Sequence, residues 1–294
     1  MLPNFLVVGA QKSGTTSLHE YLRAHPEVYL PEQKETKFFL RDEIFSRGIG
    51  YYEEHFFGDW NGEAAVGEVD PDYMYFFQCL DRMRANLDLA NIKLIFVFRN
   101  PVDRAFSHYL MTYRRGLEEL SFEDALAAES ARIALDDVNR MHYSYADRGF
   151  YARQLERFTP FVDRSNMLFL LSEDLAEDPV SEIRKCYDFL GLDPTVEPDS
   201  TVEKFHQAAV PRSAGLLRLI KRDGWHKELI RLILPNERFR LGLRARILAL
   251  NEKPGSDLKV PDDLRERLLR GYRKDMDSLQ QMTGLDLGKW FNIS

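Results

Sequence analysis

The chain opens on a short apolar run, Phe5-Leu6-Val7-Val8, and Gly9-Ala10-Gln11-Lys12-Ser13-Gly14-Thr15-Thr16 follows it without a break. A continuous apolar run ended by glycine, with helical spacing afterwards at Leu18, Tyr21 and Leu22, reads as strand, loop and helix. The Gly-x-x-x-x-Gly spacing between them places consecutive backbone N–H groups and the positive end of a helix dipole on one anion. Thr15, Thr16 and Ser17 add hydroxyl donors at the helix start. The segment Gly9 to Thr16 therefore predicts a phosphate cradle of the P-loop kind.

Further buried strands are expected at Val28 to Leu30, Ala64 to Val69, Lys93 to Phe98 and Met167 to Leu171. Helical patterns lie between them, around Cys79 to Leu87, Val102 to Tyr113, Phe122 to Glu129 and Tyr151 to Phe158. Apolar strands alternating with helices predict an α/β fold of three layers, α/β/α, around a central parallel sheet of four or five strands. A helix runs from Pro179 to Leu190 with Gly191 as its terminator, and a last one from Asp262 to about Met282 with Gly284 beyond it. The expected organisation is a single domain over 1–294. Residues 194–260 are read as loop and helix forming a lid over the acceptor cleft.

The chain has 294 residues and a net charge of -7, which argues against a general nucleic-acid binder. Cys79 and Cys186 are read as buried free thiols, since two distant cysteines build neither a disulfide framework nor a zinc site. The early apolar runs are too short to span a bilayer. A soluble cytoplasmic protein is expected if Met1 is the natural start.

The loop departs from the ATP-binding pattern in two places. Thr15 stands where the P-loop lysine would follow the second glycine, and Lys12 lies inside the loop instead. The strand Leu94 to Phe98 ends in Arg99, where a nucleoside triphosphatase would offer a carboxylate to Mg²⁺. An arginine there repels a metal and suits a second phosphate through bidentate hydrogen bonds. The expected ligand is a nucleotide with anions at two separated positions and no metal.

With these residues in view, the chain resembles sulfotransferases that use 3′-phosphoadenosine 5′-phosphosulfate, above all the branch containing the heparan-sulfate enzymes and their bacterial relatives. The resemblance runs through the loop from Gly9, Lys34-Glu35-Thr36-Lys37-Phe38-Phe39, Gly67 to Tyr73, and Phe98-Arg99-Asn100-Pro101 on to Tyr109. It continues in Gly149 to Leu155 and in the ending Thr283 to Trp290. It implies sulfuryl transfer to a hydroxyl or amine of a glycan, lipid, polyketide, carrier-bound or other small-molecule acceptor. Lys12, Ser13, Gly14, Thr15, Thr16 and Ser17 are implied to grip the 5′-phosphosulfate, Arg99 and Ser107 the 3′-phosphate, with Arg212 as a further basic contact. Lys12 is also implied to neutralise the leaving phosphate.

Glu35 matches the general base of that branch, and a partly desolvated carboxylate is expected to have a raised pKa. The plainer reading is a solvated charge, because Glu32, Lys34, Glu35 and Lys37 alternate in sign. Lys37 stands where histidine is frequent in the resembling enzymes, and Val69 and Asp70 replace a lysine and a small hydroxyl residue. Glu68 and Asp70 are secondary acid or base candidates, while His108 and His142 are read as structural. The segment 216–250 is rich in Arg and Lys and is read either as a solvated helical face or as a docking surface for an acidic partner.

Two rivals make different predictions. A P-loop small-molecule kinase turns over ATP with Mg²⁺. A regulatory protein that has lost the chemistry binds the donor without turnover.

Overall fold

The computed structural model describes residues 1–197, 210–211, 252–253 and 259–291. Five strands form one parallel sheet: β1 (Phe5–Gly9), β2 (Val28–Tyr29), β3 (Ala65–Val69), β4 (Lys93–Phe98) and β5 (Met167–Leu171). Their order is β2-β3-β1-β4-β5. All five residues of β1 and of β3 are buried, as strands covered on both faces must be. The expected parallel sheet is present with five strands.

The register leaves no slack. Phe5 lies opposite Gly67, and a Cβ on Gly67 would stand 2.3 Å from the Phe5 ring. The ring thus occupies the space that any larger residue at 67 would need. The chain leaves β1 for β2 and β3 on one side, then crosses to β4 and β5 on the other. The carboxyl ends of β1 and β4 therefore flank the switch point of the sheet, where open α/β folds bind ligands.

Helices follow each strand. They are α1 (Thr15–Arg23), α2 (Asp42–Phe45), α3 (Ile49–Phe57), α4 (Phe77–Asn86), α5 (Pro101–Arg115), α6 (Phe122–Ile133), α7 (Asp137–Tyr143), α8 (Tyr151–Leu155), α9 (Ser172–Glu177), α10 (Pro179–Leu190), α11 (Asp262–Thr283) and α12 (Gly288–Phe291). Asn100 starts α5 by accepting the Val102 amide at 3.0 Å, and Pro101 takes the first helical position, where its missing N–H costs nothing. Gly191 closes α10 in the left-handed conformation at φ 83°, as expected of a helix terminator. Five short helices, α2, α3, α7, α9 and α12, were not foreseen. Their amphipathic repeats are too brief to stand out, and α8 stops at Leu155, short of Phe158.

The described residues divide into two compact units. The first comprises 1–104, 147–197 and 265–291 and contains the sheet; the second comprises 105–146, 210–211, 252–253 and 259–264. In the second unit Glu118 is buried and accepts from Arg132 Nη1 at 2.6 Å and Tyr145 Oη at 2.8 Å, which ties α6 to the segment after α7. Two short strands, β6 (Val210–Pro211) and β7 (Glu252–Lys253), pair antiparallel there. Most of 194–260, including Arg212 and all of 216–250, lies outside the described residues. Cys79 and Cys186 are both buried and free. Among the described residues no helix is long and apolar enough to cross a membrane.

Candidate active site

The loop after β1 is shaped as the sequence requires. Gly14 caps α1 with φ 86°, a left-handed conformation that glycine reaches without steric cost. Gly9 lies so close to Met74 that a Cβ there would be 2.7 Å from the Met74 Cβ. Ser13 is fully buried, and its Oγ has no hydrogen-bond partner among the described residues. A buried hydroxyl without a partner costs free energy, which makes this one a candidate to meet a ligand. The first-turn amides of α1 have no acceptor within the helix and face the same way.

Arg99, directly after β4, reaches across the switch point and donates from Nη1 to the Lys12 carbonyl at 3.0 Å. Its own carbonyl accepts from Tyr151 Oη at 2.9 Å. The loop and the strand-end arginine, 87 residues apart in sequence, thus meet directly. Ser107 lies two turns into α5, half-buried, and belongs to the second unit. Thr15 and Ser17 are buried at the start of α1, and Thr16 is exposed.

Glu35 follows β2 at the edge of the sheet and sits between two ammonium groups. Lys34 Nζ is 2.8 Å from Oε1 and Lys37 Nζ 3.0 Å from Oε2. The raised pKa expected from partial desolvation is therefore corrected. Burial pushes the carboxyl up, but Lys37 and Lys34 outweigh it and hold Glu35 below its ordinary value. The plain reading of this stretch as a solvated charge run also fails, because only 15% of the Lys37 side chain is exposed.

Lys37 is the centre of a buried ionic group. Besides Glu35 it pairs with Asp70 Oδ1 at 2.8 Å and Asp72 Oδ2 at 2.7 Å. Asp72 also receives Arg148 Nη1 and, at 3.4 Å, Gln11 Nε2 from the loop. Burial pushes Asp70 up to about 7 against the pull of Lys37, whereas Arg148 and Lys37 overcome burial at Asp72 and hold it low. Glu68 is fully buried and accepts from the Thr36 amide at 3.0 Å, Thr36 Oγ1 at 2.5 Å, Tyr73 Oη at 3.0 Å and Tyr52 Oη at 2.5 Å. With four protein donors it is a structural anchor for the Glu35 segment. His108 packs edge-on against Tyr145 with ring centroids 5.1 Å apart, and His142 lies on α7.

Sequence reasoning did not assign Gln11, Asp72 or Arg148 to this group. Asp72 could have been found from its place two residues past Asp70 at a buried strand end, since a second carboxylate there needs cations. Arg148 carried no such signal. Three non-glycine residues have positive φ among the described residues, Lys12 (71°), Glu35 (62°) and Lys37 (57°). All three belong to the candidate site, where backbone strain is typically held in place by the surroundings.

The family described as Sulfotransferase domain matches residues 2–212. Human heparan sulfate glucosamine 3-O-sulfotransferase 6 is 32% identical over 286 residues, which is 97% of this chain and 73% of that protein. The chain belongs to the sulfotransferase family. Mouse heparan sulfate glucosamine 3-O-sulfotransferase 3B1 is 33% identical over 191 residues, which is 65% of this chain and 46% of the relative, so the chain spans about half the length of that protein. The crystal structure of a sulfotransferase from Alicyclobacillus acidocaldarius superposes with a TM-score of 0.71 at 29% identity, covering 99% of this chain and 100% of that one. This sulfotransferase is thus an α/β enzyme of sulfuryl transfer, as its sequence led one to expect, and the site above occupies the switch point of its sheet.

Proposed function

We propose that this sulfotransferase takes the sulfuryl group from 3′-phosphoadenosine 5′-phosphosulfate and places it on a hydroxyl of a saccharide acceptor. The observation that carries the reading is the Glu35 carboxylate, held ionised and tied through Lys34 to the first turn of the phosphate-binding helix. The fit to the donor rests on the Ser13 hydroxyl, without a partner among the described residues, the Gly14 cap and the Arg99 guanidinium beside the loop.

The donor supplies a sulfuryl group on a phosphate leaving group. Ser13, Thr15, Thr16 and the amides of the loop hold its 5′ end, and Lys12 neutralises charge there. Arg99 is assigned to the 3′-phosphate, and Ser107 and Arg212 are candidates for it from the sequence resemblance alone. Glu35 accepts the proton of the acceptor hydroxyl as the oxygen attacks in line. A carboxylate kept ionised can take the proton of an acceptor hydroxyl. The saccharide class is supported by the relatives named above, which are glucosamine sulfotransferases by name.

Transfer of ³⁵S-sulfate from the donor to a panel of desulfated heparan oligosaccharides, phenols and amines tests the reading. Incorporation into saccharide hydroxyls that falls by two or more orders of magnitude in Glu35→Gln is expected. Wild-type protein that ignores adenosine 3′,5′-bisphosphate and prefers ATP with Mg²⁺ overturns the donor assignment. Full activity of Glu35→Gln overturns the base.

A further inference from the structure

Glu35 follows β2 and Thr16 stands in the first turn of α1, and one side chain reaches both. The Lys34 ammonium lies 2.8 Å from Glu35 Oε1 and donates to Thr16 Oγ1 at 3.3 Å. Lys34 is 19% exposed at its side chain and Glu35 34%, so water screens the pair only in part.

The two lysines beside Glu35 are held very differently. Lys37 is fixed by two buried carboxylates, Asp70 and Asp72, in addition to Glu35. Lys34 pairs among the described residues with the Glu35 carboxylate and with a neutral hydroxyl. A phosphate or sulfate oxygen attracts an ammonium far more strongly than a threonine hydroxyl does. An anion seated on the first turn of α1 therefore competes with Glu35 for Lys34, while Lys37 stays where it is.

We propose that Lys34 is a positioning residue that couples donor binding to the basicity of Glu35, moving from the carboxylate to the donor's 5′ anion when the donor is in place. The proposal rests on the readings of the loop as donor site and of Glu35 as base. A carboxylate flanked by two ammonium groups is a weak base, and one flanked by a single ammonium is a stronger one. Glu35 thus gains its proton affinity in the complex that has a sulfuryl group to transfer. The same competition makes Glu35 an antagonist of donor binding in the free protein, because the two share one cation.

Calorimetry with adenosine 3′,5′-bisphosphate on wild type, Glu35→Gln, Lys34→Met and the double variant tests this. Glu35→Gln releases Lys34 and tightens bisphosphate binding about three- to tenfold, the size of a partly exposed ion pair. That gain is absent in the Lys34→Met background and returns in Lys34→Arg. An equal gain in both backgrounds means that Glu35 acts only as a nearby negative charge, and the proposal fails. No gain in the wild-type background overturns it as well. Thermal melts confirm folding, and Lys34→Gln replaces Lys34→Met should the latter not fold. The outcomes separate the readings: bisphosphate ignored by wild type removes the donor site, sulfuryl transfer retained by Glu35→Gln removes the base, and an additive cycle removes the coupling alone.

Discussion

Lys37 is bound to Asp70 twice, its Nζ 2.8 Å from Oδ1 and its backbone amide 3.1 Å from Oδ2. One carboxylate thereby fixes both the side chain and the backbone of a residue whose φ of 57° is sterically unfavourable. Together the lysine and the aspartate form a charge pair that neither could make alone.

Removing the cation of that pair leaves Asp70 buried without its main partner. Lys37→Met is expected to lower stability by about 3 kcal/mol, the cost of stranding a buried charge. The double variant Lys37→Met with Asp70→Asn recovers much of the loss, because the stranded charge goes with the second change. Urea midpoints of the four proteins check this; a double variant less stable than Lys37→Met counts against it.

Ser13→Ala is expected to move stability and binding in opposite directions. The hydroxyl is buried without a partner among the described residues, so its removal leaves the free protein as stable as before, or more stable by up to about 1 kcal/mol. The same change removes a donor to an anion and weakens adenosine 3′,5′-bisphosphate about tenfold. Melting curves and calorimetry on one preparation give both numbers. A destabilised variant with unchanged affinity makes Ser13 an ordinary core residue.

The sheet and the phosphate loop were legible because both are written in local sequence. The run from Phe5 to Val8 sets the strand, and Gly9 and Gly14 set the turn. The environment of Glu35 was not legible, since it depends on Asp70 and Asp72, more than thirty residues away in sequence. Alternating charges at 32 to 37 look the same whether they are solvated or folded onto buried carboxylates. The expected upward shift of Glu35 counted its burial and missed its cations. The brief helices escaped for a different reason: α2 and α9 have four and six residues, too few to show a period.

Glu35 is expected to titrate below the ordinary value for a glutamate in the free protein, because Lys37 and Lys34 outweigh its burial. Its ionised form is the one favoured by folding. Its contribution to stability is therefore present above the unfolded value and lost as pH falls through the lower folded one. Substituting either Lys34 or Lys37 by glutamine removes a cation and moves the titration upward. NMR titration of the ¹³C-labelled carboxyl groups measures this, and a Glu35 signal titrating above the ordinary value contradicts the arrangement.

His19 gives the protein a pH dependence of its own, on the acid side of neutrality. Its ring is 2% exposed on α1, and burial, followed by the charges of Lys34 and Arg23, pushes it down to about 4 from 6.5. Between those values the unfolded chain binds a proton at this position and the folded protein does not. Stability from this group is present above pH 6.5 and is lost as pH falls toward 4, by up to about 3 kcal/mol. His19→Leu fills the same place with a side chain that binds no proton, so it abolishes this contribution while leaving the carboxylates to titrate as before. The stability difference between wild type and variant, measured by urea unfolding at intervals from pH 7 to pH 4, isolates the histidine. A difference that stays constant across the range means that His19 takes up its proton in the folded protein, and that the charges around it offset its burial.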